Sequence, residues 1–125
     1  MTVVSVALLL IASFLAGSFP SAWIASSIAG AGDIRETGSG NPGATNVYRA
    51  LGLRWALPVL IVDSLKGALP VIAALLYFAD DGMVSRRLGA LAGGVSVLGH
   101  MFSPWTGFRG GKGVATGAGA FTALL

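Results

Sequence analysis

Ser39, Asn41, Thr45, Asn46 and Arg49 fall within one glycine-centred stretch, Gly38 to Arg49, and Lys112 sits inside a second, Phe108 to Thr116. Hydroxyls, amides and cations of this kind, beside backbone N–H groups left bare by glycine, are what an anionic phosphate needs. In the first stretch Asn41 is a good helix N-cap and Pro42 suits a first helical position, so the sequence predicts a short helix from Pro42 to about Leu51, ended by Gly52. Helical spacing then puts Thr45 and Arg49 on one face, with Asn46 three residues before Arg49. A planar guanidinium beside hydroxyl and amide donors suits bidentate phosphate recognition. The alternative is a capped turn whose Arg49 meets lipid headgroups.

Both stretches imitate nucleotide motifs and fail their context. Gly38, Gly40 and Gly43 satisfy G-x-G-x-x-G, but no buried strand precedes them and the acid downstream, Asp63, lies in an apolar run. Gly111-Lys112 fits the G-K step of a Walker A loop. However, Gly113 occupies the Ser/Thr place and Thr106 the place of the first glycine, which disfavours an ATPase. What remains is an amide-rich turn, Gly110 to Gly113, with Lys112 as a point charge; a purely electrostatic anchor is the competing reading. His100, the single histidine, is either a general base or a structural residue. Asp63 and Lys66, three apart on one helix face, form a structural intramembrane pair, because unpaired charges in lipid cost about 2.5–3.5 kcal/mol each. With no cysteine and one histidine, no metal site is expected.

The elements that must position these residues are oily. Of 125 residues, 54% are hydrophobic and 10% charged, against roughly 25% charged in ordinary soluble domains. The net charge of +3 is scattered between apolar runs and forms no stripe, which argues against nucleic acid. Val3 to Ile28 carries no charge and exceeds the 7–15 apolar residues of a signal peptide, so it reads as a first span, about 3–28, kinked or ended early by Pro20. Further apolar runs cover about 55–78, 83–102 and 114–125 onward, the last reaching Leu125 with no cap or charge. Gly89, Gly93, Ser96 and Gly99 offer a close-packing surface.

Arg35, Arg49, Arg54, Arg109 and Lys112 outnumber Arg86 and Arg87, which places both glycine loops in the cytoplasm and the amino terminus outside. The expected fold is an all-α integral membrane protein. It is a polytopic bundle, a single domain over 1–125 left incomplete at the carboxyl terminus, with about three complete transmembrane helices and the start of a fourth.

Four ordered motifs carry a resemblance: Gly17-Ser18-Phe19-Pro20, Asp33-Ile34-Arg35 with Gly38 to Arg49, Val62 to Gly67, and Gly99-His100 with Phe108 to Thr116. Together they resemble the bacterial acyl-phosphate:glycerol-3-phosphate acyltransferases, small membrane enzymes that make lysophosphatidic acid, the first step of phospholipid synthesis. The resemblance implies a seven-span fold in the bacterial inner membrane, with a third motif beyond Leu125, so the chain alone is expected to be inactive. It makes Ser39 and Arg49 candidates for catalysis and substrate positioning. Lys112 with the amides of Gly110, Gly111 and Gly113 becomes a phosphate site, and Gly40, Asn41, Thr45 and Asn46 line the same pocket.

Acyl phosphate and glycerol 3-phosphate are the implied substrates. Membrane lipid and the enzyme that makes acyl phosphate are further candidate partners, and no cofactor is implied. The proton acceptor stays open between His100, a residue beyond Leu125 and the departing phosphate. A non-enzymatic reading, a subunit of a phosphate or anion transporter, uses the same cationic loops as gates.

Overall fold

The computed structural model describes all residues from Met1 to Leu125. Helices α1 (Val3–Ser18) and α2 (Ser21–Ile28) share the first apolar run, and the short α3 (Ala44–Leu51) follows the first glycine loop. Then come α4 (Leu53–Tyr77), α5 (Gly82–Met101) and α6 (Val114–Leu124). Single 3₁₀ turns occupy Ile34–Glu36 and Pro104–Thr106. By length and apolarity two segments can cross a membrane, Val3–Ile28 and Leu53–Tyr77. Helix α5 has 20 residues but carries Arg86 and Arg87, and α6 has 11.

The bundle is held by backbone-to-backbone approaches that only missing side chains permit. Helix α5 lies on α1 where a Cβ on Gly17 would stand 1.9 Å from the Ser96 carbonyl oxygen, and one on Gly99 2.2 Å from that of Phe14. Helix α6 meets α4 in the same way, through Gly67 against Thr116 and Gly119 against Ser64. The small-residue surface expected on α5 therefore divides: Ser96 and Gly99 serve α1, while Gly89 and Gly93 meet Val71 of α4 and Ala120 and Leu124 of α6.

Prolines open the helices at points the fold uses. Pro20 separates α1 from α2, and the carbonyls of Ser18 and Phe19 accept from distant groups: Ser103 Oγ reaches Ser18 O at 2.6 Å, and Lys66 Nζ reaches Phe19 O at 2.9 Å beside the local Ser21 N–H. Pro70 lies inside α4 and cannot donate to the Lys66 carbonyl one turn back. Ser96 Oγ of α5 supplies that missing bond, 2.5 Å away. The break thus becomes an interhelical tie beside the buried charges.

The first glycine loop is folded over an apolar cluster of Ala22, Ala25, Ile34, Val47, Ala56 and Val59. Helix α3 starts at Ala44 with Gly43 as its cap, two residues later than expected from Asn41 and Pro42, and it makes no side-chain capping bond. Pro42 is buried beside Gly111, so tertiary packing holds it outside the helix. Gly52, at φ +87, ends α3 as the sequence predicts and starts α4.

Candidate functional site

A buried polar network lies where α2, α4 and α5 meet. Asp63 and Lys66 are 2% and 6% exposed, and Lys66 Nζ stands 2.9 Å from Asp63 Oδ1. Ser21 Oγ donates to the same oxygen at 2.5 Å. Lys66 also contacts His100 Nδ1 at 2.8 Å, whereas His100 Nδ1 lies 4.0 Å from Asp63 Oδ1. The expected pair is thus the centre of a network that includes His100, Ser21 and the Phe19 carbonyl. Removing one partner of such a buried pair leaves the other charge uncompensated, at a cost of about 3–5 kcal/mol.

Both glycine loops come to the same end of the bundle. Arg35 joins them: its Nη1 donates to the Thr106 carbonyl at 2.5 Å, and its Nε and Nη2 hold Asp33. Hydrogen bonding to Arg35 holds the Asp33 carboxyl below its usual range, and the same bond holds the guanidinium above its ordinary value. Between the loops an open cleft of about 510 Å³ gathers Ser39, Asn41, Thr45, Asn46, Arg49, His100, Lys112 and Gly113, with Asp63 on its floor. Gly110 and Gly111 instead line a smaller neighbouring cavity of about 20 Å³, shared with Lys66 and His100.

Within the first loop Asn46 is 1% exposed and engaged on both ends of its amide. Its Nδ2 donates to the carbonyls of Ile34 and Thr37, at 3.2 and 2.7 Å, and its Oδ1 accepts from Ser39 N–H at 3.3 Å. It therefore shapes the loop, while Thr45 and Arg49 on the neighbouring face stay exposed to the cleft. The Gly40 amide donates to Thr37 O and is not free for a ligand. Asn41 N–H donates to Ser39 Oγ at 3.3 Å, which leaves that hydroxyl's own proton available.

The second loop is open. Gly110 N–H donates to Met101 O, but no hydrogen bond engages the amides from Gly111 to Thr116. They converge at the amino end of α6, where unsatisfied N–H groups and the helix dipole favour negative charge. Lys112, exposed and unpaired, lines the cleft beside them.

Residues whose hydrogen-bonding roles the sequence did not reveal are Ser21, Ser96, Ser103 and Thr106. A buried carboxylate in an apolar run demands more donors than one lysine, and this was the signal for Ser21. Thr116 Oγ1 is buried without a partner at the α4–α6 contact.

An all-helical protein with apolar helices and a cationic, amide-lined cleft at one end belongs with the helical membrane proteins. Residues 7–125 match the family model of glycerol-3-phosphate acyltransferases, and the chain belongs to that family. The glycerol-3-phosphate acyltransferase of Gluconobacter oxydans (strain 621H) is 45% identical over 117 residues, covering 94% of this chain and 54% of its own length. That of Leptospira borgpetersenii serovar Hardjo-bovis (strain JB197) is 49% identical over 114 residues, covering 90% and 50%. Among solved structures, the integral membrane glycerol 3-phosphate acyltransferase PlsY (YgiH) in its glycerol 3-phosphate form superposes with a TM-score of 0.86 at 42% identity. Its lysophosphatidic acid form gives 0.82 at 41%, and each comparison covers 96% of this chain and 57% of the other. The chain spans about half the length of the curated relatives it matches.

Proposed function

We propose that this chain forms part of a membrane enzyme that transfers a fatty acyl group from acyl phosphate to glycerol 3-phosphate, giving lysophosphatidic acid and phosphate. The observation that carries this reading is the cleft between the loops, where Arg49, Ser39, Lys112 and the free-amide segment from Lys112 to Ala115 line one volume of about 510 Å³. Family membership and the PlsY structures in their glycerol 3-phosphate and lysophosphatidic acid forms support the same substrate and product.

An acyl phosphate is already activated. The glycerol hydroxyl oxygen forms a bond to the acyl carbon, the carbon–oxygen bond to phosphate breaks, and the hydroxyl proton leaves with the departing phosphate or another acceptor. Fixing two anions among cations and amides contributes by proximity and by stabilising the charge that grows on the leaving group. Ser39 donates a hydrogen bond to substrate, and transfer is direct. Asn41 and Thr45 line the same pocket, Gly111 and Gly113 offer their amides, and Asn46, Gly40 and Gly110 hold the loops that present them. The loops face the cytoplasm of a bacterial inner-membrane protein with its amino terminus outside and several further spans, in which α1 with α2, α4 and α5 cross the membrane and α6 begins another crossing.

The test is product. Membranes containing a full-length enzyme that includes this chain, given acyl phosphate and labelled glycerol 3-phosphate, are expected to form lysophosphatidic acid. Label entering sealed vesicles without acylation would overturn the enzyme reading in favour of a transporter.

A further inference from the structure

His100 lies between the buried charge network and the open loop, and its two ring nitrogens face different partners. Nδ1 is 2.8 Å from Lys66 Nζ. An ammonium has three hydrogens and no acceptor, so any hydrogen bond it makes is one it donates. Lys66 has three acceptors in reach: Phe19 O at 2.9 Å, Asp63 Oδ1 at 2.9 Å and His100 Nδ1. The Asp63 carboxylate, itself held by Ser21, balances the charge that makes this donation possible. Nδ1 must then accept, which leaves the proton of the neutral imidazole on Nε2.

Nε2 has no protein partner and looks towards the second glycine loop. A methyl group on Gly111 would lie 2.4 Å from it, so the absent side chain of Gly111 keeps the nitrogen uncovered. His100 retains 9% side-chain exposure and lines the cleft that also holds Lys112 and Arg49. The polar groups that the second loop itself contributes beside the ring are donors: the unengaged Gly111, Lys112 and Gly113 amides and the Lys112 ammonium, while the one carboxylate lining the cleft, Asp63, is already held by Lys66 and Ser21. A proton acceptor among them would repel the anion they are arranged to hold, while an N–H adds to the set.

We infer that the Asp63–Lys66 pair fixes His100 as the Nε2–H tautomer, so that His100 is a hydrogen-bond donor to a phosphoryl oxygen and not the general base. Lys66 and Asp63 are positioning residues that act through the ring. The ligand chemistry is a phosphate monoester or acyl phosphate oxygen, and the identity of that ligand rests on the acyl-transfer reading. The tautomer does not.

His100 is the only histidine in the chain, so isotopic labelling of histidine gives its nitrogen spectrum without assignment. In the 125-residue chain held in lipid bilayers, Nδ1 is expected to be bare and Nε2 protonated. A spectrum with the proton on Nδ1 overturns the inference. In Lys66→Met the preference for Nε2–H should weaken. Retention of the same tautomer at full population would overturn the role given to Lys66, and the wild-type spectrum remains decisive if that variant does not fold.

Inorganic phosphate, glycerol 3-phosphate and an acyl phosphate, added separately, distinguish the sources, because the Nε2 proton should shift with the one it binds. No shift with any of them would overturn the contact. Kinetically, His100→Ala should raise the Michaelis constant for that same substrate by about 10- to 100-fold, the size of one hydrogen bond to a charged group. His100→Gln keeps an N–H in nearly the same place and should recover to within about tenfold of the wild type. A glutamine variant as impaired as the alanine one would point to a base and overturn the inference. The kinetic variants are made in a full-length enzyme that includes this chain; its failure to make lysophosphatidic acid would remove the acyl-transfer reading alone and leave the nitrogen spectrum to decide the tautomer.

Discussion

The two glycine loops face one cleft but are built in opposite ways. In the first, the buried Asn46 amide bonds both Ile34 and Thr37 carbonyls and the Ser39 N–H, so the backbone is closed on itself and side chains are what it offers. In the second, the amides from Gly111 to Thr116 engage nothing, and the backbone itself is the offered surface. A loop that presents side chains tolerates a rigid, satisfied backbone. One that presents N–H groups must leave them bare and must be shaped from outside, here by His100 and Met101 of α5. The difference predicts where each loop is fragile.

The open loop should break hardest at Gly110. A Cβ there would lie 1.8 Å from the His100 carbonyl oxygen and 2.9 Å from that of Met101, both backbone atoms that no rotamer change can move aside. Gly110→Ala must therefore push the loop off α5 and carry the free amides with it. A displacement of about 1 Å in a site that works by positioning costs on the order of a hundredfold, and overpacking of this kind destabilises by about 1–3 kcal/mol. Turnover in membranes should fall by about that factor, with the Michaelis constant for glycerol 3-phosphate also raised. Near-normal turnover would mean that the loop is not shaped by α5.

The closed loop should break at the side chain that closes it. Asn46→Ala leaves the Ile34 and Thr37 carbonyls and the Ser39 amide without their partner, and each buried group abandoned in this way costs about 1–3 kcal/mol before water or relaxation compensates. Amide hydrogen exchange should accelerate across Thr37 to Gly43, while Gly110, bonded to Met101, should exchange as before. Equal acceleration in both loops would erase the contrast between them.

Much of this was legible in the residues. The apolar runs gave the helices, Pro20 the division of the first one and Gly52 the end of α3. Residue types marked each stretch as a candidate anion site, and the resemblance carried by the ordered motifs anticipated that Arg49, Thr45, Ser39 and Lys112 meet at one cleft. What stayed hidden was non-local. Spacing alone placed Asn46 near Arg49 as a ligand, because helical arithmetic gives an angle and not the direction of the core; the cluster around Ile34 and Val47 decides that Asn46 points inward. Asn41 and Pro42 read as a helix start, yet Pro42 is drawn against Gly111 from a distant loop. Asp63 and Lys66 were visible as a helical pair. Their contacts with His100, Ser21 and the Phe19 carbonyl depend on how α2 and α5 cross α4, which no local pattern encodes.

The mildest test of the contrast is Lys112→Met. Lys112 is exposed, accepts no structural duty and makes no hydrogen bond or ion pair in the fold, so its loss should leave thermal stability unchanged. It nevertheless lines the cleft beside amides that no protein group satisfies, and an anion bound there would feel both. Loss of one point charge at such a site is worth about tenfold in affinity, and less at high salt, because the group is open to solvent. The Michaelis constant for glycerol 3-phosphate should rise by about that factor with little change in turnover, the mark of an interaction made equally in the ground and transition states. An unchanged constant would show that the amides act without the lysine; a fall in turnover alone would move Lys112 from binding to the leaving group.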